Sequence, residues 1–165
     1  MIRLFLLFVS LIALSSALPR WFPPGWGGPD LFLLVAVMGL GRRSPIQALP
    51  LAYALGLVQD LLGYGHLGLH AAGVMAAVYA AHHMDRRLPA VGGWRGWACI
   101  LTATCAQGLT FAALALVLQL PILTFETLAG ILPFQTLWTL VFYVPIQWFF
   151  KRFWGSRFDL MERWI

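Results

Sequence analysis

Residues 57–70 read LVQDLLGYGHLGLH, and this stretch decides how the middle of the chain folds. One carboxylate, Asp60, stands among apolar side chains and is followed by Gly63, Gly65 and Gly68. Glycines at this density supply the backbone freedom that a tight turn needs. Apolar residues continue on both sides of the turn. The stretch therefore predicts two consecutive helices joined by a glycine-rich turn, with the carboxylate near the end of the first helix.

The composition of the whole chain is that of a membrane protein. Of 165 residues, 61% are hydrophobic and 10% are charged, and the mean hydropathy is +0.80. Soluble domains carry roughly 25% charged residues. The sequence predicts an all-α, polytopic helical bundle that forms a single transmembrane domain over residues 1–165. Its apolar segments lie at about 4–18, 29–41, 46–63, 68–84, 98–120 and 128–150.

The second segment is short for a membrane span. The ten residues from Leu31 to Leu40 would extend about 15 Å as a helix, whereas a span needs roughly 20 residues. Six transmembrane segments with a short second helix are predicted, and five remain as an alternative in which the second segment is re-entrant. Residues 1–19 also have the features of a signal peptide, and its cleavage is a third alternative.

The basic residues predict the orientation in the membrane. With six spans, Arg20 lies on one side and ten basic residues lie on the other, which by the positive-inside rule places both termini in the cytoplasm. With five spans Arg3 and Arg20 exchange sides, so charge does not separate the two topologies. The ten are Arg3, Arg42, Arg43, Arg86, Arg87, Arg95, Lys151, Arg152, Arg157 and Arg163.

The C-terminal residues 151–165 form an amphipathic pattern. The sequence KRFWGSRFDLMERWI places Trp154, Phe158, Met161 and Ile165 on one helical stripe, opposite basic and acidic residues. It predicts a cytoplasmic interfacial helix, and a tail that docks a partner is the alternative. Tryptophans also mark the ends of the segments, as expected for side chains that prefer headgroup depth. They are Trp21 and Trp26 on one side and Trp94, Trp97, Trp148, Trp154 and Trp164 on the other.

The third segment has two different faces. At 100° per residue, Ala52, Gly56, Gln59, Asp60 and Gly63 form a small and polar face, which should point into the bundle because small residues let helices approach closely. An apolar stripe about a third of a turn away should face lipid or a neighbouring helix. It consists of Leu51, Leu55, Val58 and Leu62.

Three roles are open for Asp60. It can cap and fix the turn that follows, bind a proton or a ligand, or contact a partner protein. Asp60→Leu should weaken folding or assembly, and Asp60→Asn should be tolerated if hydrogen bonding matters more than charge. His66 and His70 lie close by, but a metal site would need a third ligand, and the sequence offers none.

The remaining polar residues do not form a pattern typical of an enzyme. No catalytic triad, paired carboxylates or phosphate-binding loop is found, and neither a metal nor another cofactor is predicted. Cys99 and Cys105 are expected to be buried as small hydrophobic residues. Polar pairs in the last two segments are expected to join helices. They are Thr104 with Gln107, and Gln135 with Thr136.

Residues 28–83 resemble the rod-shape-determining MreD family. The resemblance lies in a Pro-Asp pair before a short apolar segment, a basic turn, a helix ending in G-x-x-x-D and a turn ending in G-L-H. Beyond Arg95 only the hydrophobicity agrees. The matching positions are Pro29, Asp30, Arg42, Arg43, Gly56, Asp60, Gly65, Gly68, Leu69 and His70.

The resemblance implies a non-enzymatic component of the bacterial cell-elongation complex in the inner membrane. Such a protein binds the transmembrane helix of MreC and helps regulate peptidoglycan synthesis and rod shape. RodA, its penicillin-binding transpeptidase and, indirectly, MreB belong to the same assembly. The residues expected to be structural or partner-binding are Asp30, Gly56, Gln59, Asp60, Gly63, Gly65, Gly68 and His70.

The MreD fold is similar to that of the substrate-binding subunits of energy-coupling-factor vitamin transporters, and such a subunit is the alternative function. Ala13 and Ala17, four residues apart in the first segment, offer the small-residue helix face that those subunits use to meet their coupling partner. The same spacing is common in membrane helices.

Overall fold

The computed structural model describes residues 2–21, 28–40, 43–63, 67–88, 94–119 and 125–162. In the first and last of these ranges, side chains are described for 9–18, 21, 130–149 and 152. This part of the chain contains six α-helices and no strand, so the all-α prediction is confirmed. The helices are α1 (Ile2–Ala17), α2 (Leu31–Leu40), α3 (Pro45–Leu62), α4 (Leu69–Arg87), α5 (Trp94–Val117) and α6 (Phe125–Glu162), with a short 3-10 helix at Leu18–Trp21 after α1.

Among the described helices, α5 alone is both long enough and apolar enough to cross a membrane. It has 24 residues, and the mean hydropathy over its most apolar 18 residues is 1.8. The short second segment is a helix of ten residues, as its sequence predicts.

Helix α2 lies at the centre of the molecule. It contacts α1, α3, α4, α5 and α6, and Leu31, Leu33, Leu34 and Ala36 are each at most 1% exposed. A helix of ten residues has little stability of its own. Packing on several sides therefore holds α2 in place, which explains why so short a segment is almost entirely apolar.

Helices α3, α4 and α5 pack as an antiparallel layer beside α2. A Cβ added at Gly56 of α3 would lie 2.3 Å from the Cα of Ala71 of α4, so these two backbones are almost in contact. A Cβ at Gly73 of α4 would lie 2.4 Å from the ring of Phe111 of α5. The small residues of the central helices are thus the positions of closest approach.

Helix α6 packs antiparallel to α5, with Tyr143 beside Gly96 and Leu132 beside Gly108. It continues as helix through Pro133 and Pro145 and on to Glu162. The predicted tail at 151–165 is therefore not set off by a break in the helix. The side chains of its apolar stripe lie outside the described residues.

The small and polar face of α3 points into the molecule as the sequence predicts, except at its end. Ala52, Gly56 and Asp60 are buried, whereas Gly63 is exposed, because the helix ends before it.

In α5, Cys99 is buried but Cys105 is exposed. The expectation that both cysteines are buried is wrong for Cys105, which lies on a different face of the helix.

Candidate functional site: two buried carboxylates at helix N-termini

Asp60 lies at the end of the inner face of α3 and is 2% exposed. Its Oδ2 accepts hydrogen bonds from the backbone N–H groups of Gly68 at 2.8 Å and Ala71 at 3.2 Å. Its Oδ1 accepts the N–H of His70 at 3.0 Å. These three groups belong to the N-cap residue and the first turn of α4, where no partner exists within the helix. Asp60 is therefore the N-terminal cap of α4, supplied by a neighbouring helix.

Gly68 explains why the cap comes from another helix. It is the N-cap residue of α4 and has φ +96°, in the left-handed region that glycine adopts without strain. Having no side chain, it cannot bind the first turn of α4 in the usual way. The carboxylate of Asp60 takes this place. Of the three roles that the sequence left open for Asp60, these contacts are those expected if it caps and fixes the turn.

The side chain of His70 completes the site around Asp60. Its Nδ1 is 2.8 Å from Oδ1 of Asp60, and 29% of the histidine side chain is exposed. The edge of its ring meets Phe111 of α5, with 5.1 Å between ring centroids. His70 thus joins the capped turn to α5. Gly65 and His66, which the sequence placed in the same turn, lie outside the described residues.

Asp30 forms a second carboxylate site at the N-terminus of α2, where it is 5% exposed. Its Oδ1 accepts the N–H of Leu33 at 2.9 Å, so Asp30 caps its own helix. Its Oδ2 accepts a 2.7 Å hydrogen bond from the amide of Gln107 in α5. Its own N–H donates to the hydroxyl of Thr139 in α6 at 3.1 Å. Asp30 therefore binds the central helix to both α5 and α6.

Gln59 links the two sites. Its Nε2 is 3.5 Å from Oδ1 of Asp30, and it directly precedes Asp60 in α3. Its Oε1 is buried and has no hydrogen-bond partner among the described residues. The last turn of α3 therefore takes part in both sites. Gln59 contacts the carboxylate of Asp30, and the next residue, Asp60, carries the second carboxylate.

The electrostatics of both sites follow from the helix ends. The N-terminus of a helix carries a partial positive charge and unpaired N–H groups, which stabilise a carboxylate placed there. Each buried oxygen of the two carboxylates accepts at least one hydrogen bond, so the desolvation penalty is offset locally. Among the described residues, no group of three histidine, cysteine or acidic side chains is arranged to hold a metal ion. The arrangement is suited to holding helices together.

A third polar contact lies at the other end of α4. The Nε of Arg95 in α5 is 2.7 Å from Oδ1 of Asp85, and its Nη2 donates to the Asp85 carbonyl oxygen at 2.8 Å. Both side chains are partly exposed. The pair fixes the connection between α4 and α5 at the end of the bundle opposite Asp60.

Sequence reasoning did not find every residue of these sites. It predicted Gln107 as a contact between helices but did not identify Asp30 as its partner, and it did not select Thr139. The signal that was available is that an aspartate directly before an apolar helix is a typical N-cap. The positions of Gln107 and Thr139 depend on how α5 and α6 pack, which no local pattern specifies.

The chain was compared with known proteins in three ways. No family model matches it, and neither the curated proteins nor the solved structures contain a match. The functional interpretation consequently depends on the residues and contacts described above.

Proposed function

We propose that the protein is a multi-pass protein of the bacterial inner membrane. The support is the distribution of side chains along α5, where small and polar residues are buried although several large apolar residues are exposed. In α5, Ala103, Thr104 and Gln107 are at most 5% exposed, but Leu109 and Leu116 are 72% and 80% exposed. A protein surrounded by water would gain free energy from the opposite arrangement, whereas hydrocarbon lipid favours this one.

The location is tested by spin labels placed singly on α5. A label at Leu109 should be accessible to oxygen and protected from a water-soluble nickel reagent when the protein is in bilayers. A label at Ala103 should be protected from both, because it is buried inside the bundle. Equal accessibility of Leu109 to the nickel reagent before and after reconstitution would place this face in water and refute the proposal.

Within that membrane we propose a non-enzymatic scaffold of the cell-elongation complex, as in the MreD family. The observation that carries this proposal is what the motif residues do. Asp30, Asp60, Gly68 and His70 all belong to the two helix caps, and Gly56 is a contact between backbones. These five residues of the resemblance therefore fix the shape of the bundle, as a protein that presents a surface to partners requires.

The partner proposed for this surface is the single transmembrane helix of MreC, and through it RodA with its penicillin-binding transpeptidase and MreB. One position on α2 is open to such a helix. Gly39 is exposed, and a Cβ there would meet no atom within 4 Å. Small residues allow close approach of a second helix, so Gly39 is where we expect the partner helix.

The experiment combines copurification with cross-linking. The tagged protein is extracted from its native membrane in mild detergent, with a photo-reactive residue at Gly39 or, as a matched control, at the lipid-facing Leu109. MreC should copurify with both variants and cross-link from Gly39 only. Copurification without a cross-link at Gly39 would move the docking surface elsewhere. A protein recovered free of MreC would refute the scaffold function.

The alternative function, a substrate-binding subunit of an energy-coupling-factor transporter, has one structural observation in its favour. Ala13 and Ala17 are both exposed on α1, so this small-residue face is free for another helix. The same purification distinguishes the two functions. Recovery of an ATPase with its membrane coupling subunit, together with a bound vitamin, would support the transporter.

A further inference from the structure

Exposed arginines from three different parts of the chain lie at one end of the bundle. Because Gly56 meets Ala71, the start of α3 and the end of α4 lie at the same end of the molecule. The pair of Asp85 with Arg95 brings the start of α5 there as well. Tyr143 beside Gly96 places α6 at this end too, and the helix continues from there through Trp148 to Arg152. The exposed arginines here are Arg43, Arg86, Arg87 and Arg152, and together they define the basic end.

The described carboxylates leave these arginines without a counter-charge. Asp30 and Asp60 are buried and bound within the helix caps. Asp85 is held by Arg95, which uses both its side chain and its carbonyl oxygen. No other acidic side chain belongs to the part of the structure in which side chains are described. The basic end therefore presents positive charge outward, and the partner that fits it is negatively charged.

Tryptophans at the same end point to a membrane surface as the source of that negative charge. Trp94 and Trp97, in the first turn of α5, are 53% and 40% exposed, and Trp148 of α6 is 67% exposed. Their rings are amphipathic and prefer the depth of lipid headgroups. Exposed arginines together with exposed indole rings at this end match a bilayer surface, where phosphate groups lie directly above the acyl chains. A soluble anion would require the arginines alone.

We propose that the basic end binds the headgroups of anionic phospholipids in preference to zwitterionic ones. Arg86 and Arg87 form the centre of this site, because they are adjacent, exposed and in the last turn of α4. The inference rests on the proposed membrane location and adds to it the chemical class of lipid that the protein selects. It does not depend on the identity of the protein partner.

The experiment uses the full chain reconstituted in phosphatidylcholine bilayers. Increasing fractions of phosphatidylglycerol are added with bromine on the acyl chains near the headgroup, and quenching of tryptophan fluorescence reports lipid contact. The matched measurement uses brominated phosphatidylcholine. Phosphatidylglycerol should quench at lower fractions, and high salt should reduce the difference. At about 1 kcal/mol for each basic residue near the surface, R86Q/R87Q should reduce the preference by up to about 30-fold.

Controls separate charge from fold and from other ligands. The charge-conserving variant R86K/R87K should retain the preference, and Cys99 should remain unreactive to thiol reagents in both double variants. Equal quenching by the two lipids in the unmodified protein, or an unchanged preference in R86Q/R87Q, would overturn the inference. Loss of the preference when inorganic phosphate replaces chloride at constant ionic strength would assign the site to a free anion and overturn it too. A protein that does not enter bilayers at all would instead refute the membrane location.

Discussion

Substitution of Asp60 tests how the bundle is held together. Four donors point at its two oxygens: the backbone N–H groups of Gly68, His70 and Ala71, and Nδ1 of His70. Leucine at this position has a similar size but accepts no hydrogen bond. Asparagine keeps one acceptor oxygen and replaces the other with a donor. The structure therefore predicts that neither substitution is neutral. From the sequence we expect asparagine to be tolerated if hydrogen bonding matters more than charge, but here hydrogen bonding itself requires both carboxylate oxygens.

The magnitude follows from the number of donors that lose their acceptor. A buried donor left unsatisfied costs about 1–3 kcal/mol. In the least unfavourable orientation of Asp60→Asn, the amide oxygen still binds Gly68 and Ala71, and the backbone N–H of His70 loses its acceptor. Nδ1 of His70 is not left unpaired, because in its other tautomer it accepts a hydrogen bond from the new amide. This variant should lower the free energy of unfolding by about 1–3 kcal/mol. Asp60→Leu leaves three backbone donors unsatisfied and should lower it by about 3 kcal/mol or more.

Cys99 provides the assay. It is buried in α5, so its reaction with a thiol-specific dye reports opening of the bundle. The exposed Cys105 is first replaced by serine to remove background, which leaves one thiol because the chain has two cysteines. Labelling of the full chain in bilayers or mild detergent is followed across a denaturant titration. The midpoint should decrease in the order unmodified protein, Asp60→Asn, Asp60→Leu.

The matched control is Asp85→Asn, the same chemical change at a carboxylate that is 35% exposed. A partly exposed ion pair contributes about 0–1 kcal/mol, so this variant should have almost the midpoint of the unmodified protein. Midpoints and not labelling rates are compared, because Oδ1 of Asp85 lies 3.8 Å from Sγ of Cys99 and its charge affects the reactivity of that thiol. If Asp60→Asn shifts the midpoint no further than Asp85→Asn does, the capping role assigned to Asp60 is wrong.

Two further predictions concern the packing of the central helices. Gln107→Leu should lower the free energy of unfolding by about 1.5–3 kcal/mol, because it removes a hydrogen bond to a carboxylate. Most of that loss should disappear in a background that carries Asp30→Ala, which offers Gln107 no acceptor, as a double-mutant cycle would show. Gly56→Ala should destabilise, since its Cβ would lie 2.3 Å from the backbone of Ala71, whereas Gly39→Ala meets no atom and should stabilise by up to about 1 kcal/mol through helix propensity. Equal effects of the two glycine substitutions on the denaturation midpoint would contradict the close approach of α3 and α4.

The sequence predicts the helices well because their signals are local. The six apolar segments, the ten-residue second helix and the inner position of Asp60 all follow from hydrophobicity and the helical period. What the sequence did not predict is the central position of α2. Its residues are apolar on every side, so no face distinguishes contact with lipid from contact with other helices, and both arrangements satisfy the same pattern.

The candidate site was predictable in part for the same reason. Asp60 and the N–H groups that it binds are only 8–11 positions apart in the chain, and the glycines of this stretch indicate a turn. The contacts of Asp30 with Gln107 and Thr139 span 77 and 109 residues. They require the relative placement of α2, α5 and α6, which depends on packing across the whole bundle rather than on any motif.

This long separation has a consequence for biosynthesis. When the ribosome has completed α2, Gln107 of α5 and Thr139 of α6 have not yet been made. These residues bind the carboxylate and the backbone N–H of Asp30. The nascent chain therefore carries an incompletely paired carboxylate at the start of its most apolar helix until residue 139 emerges. Assembly of the centre has to be a late step, since contacts of high sequence separation form slowly. Chains that terminate before Thr139 should retain this incompletely paired site, which makes Asp30 a marker of whether synthesis has reached that part of α6.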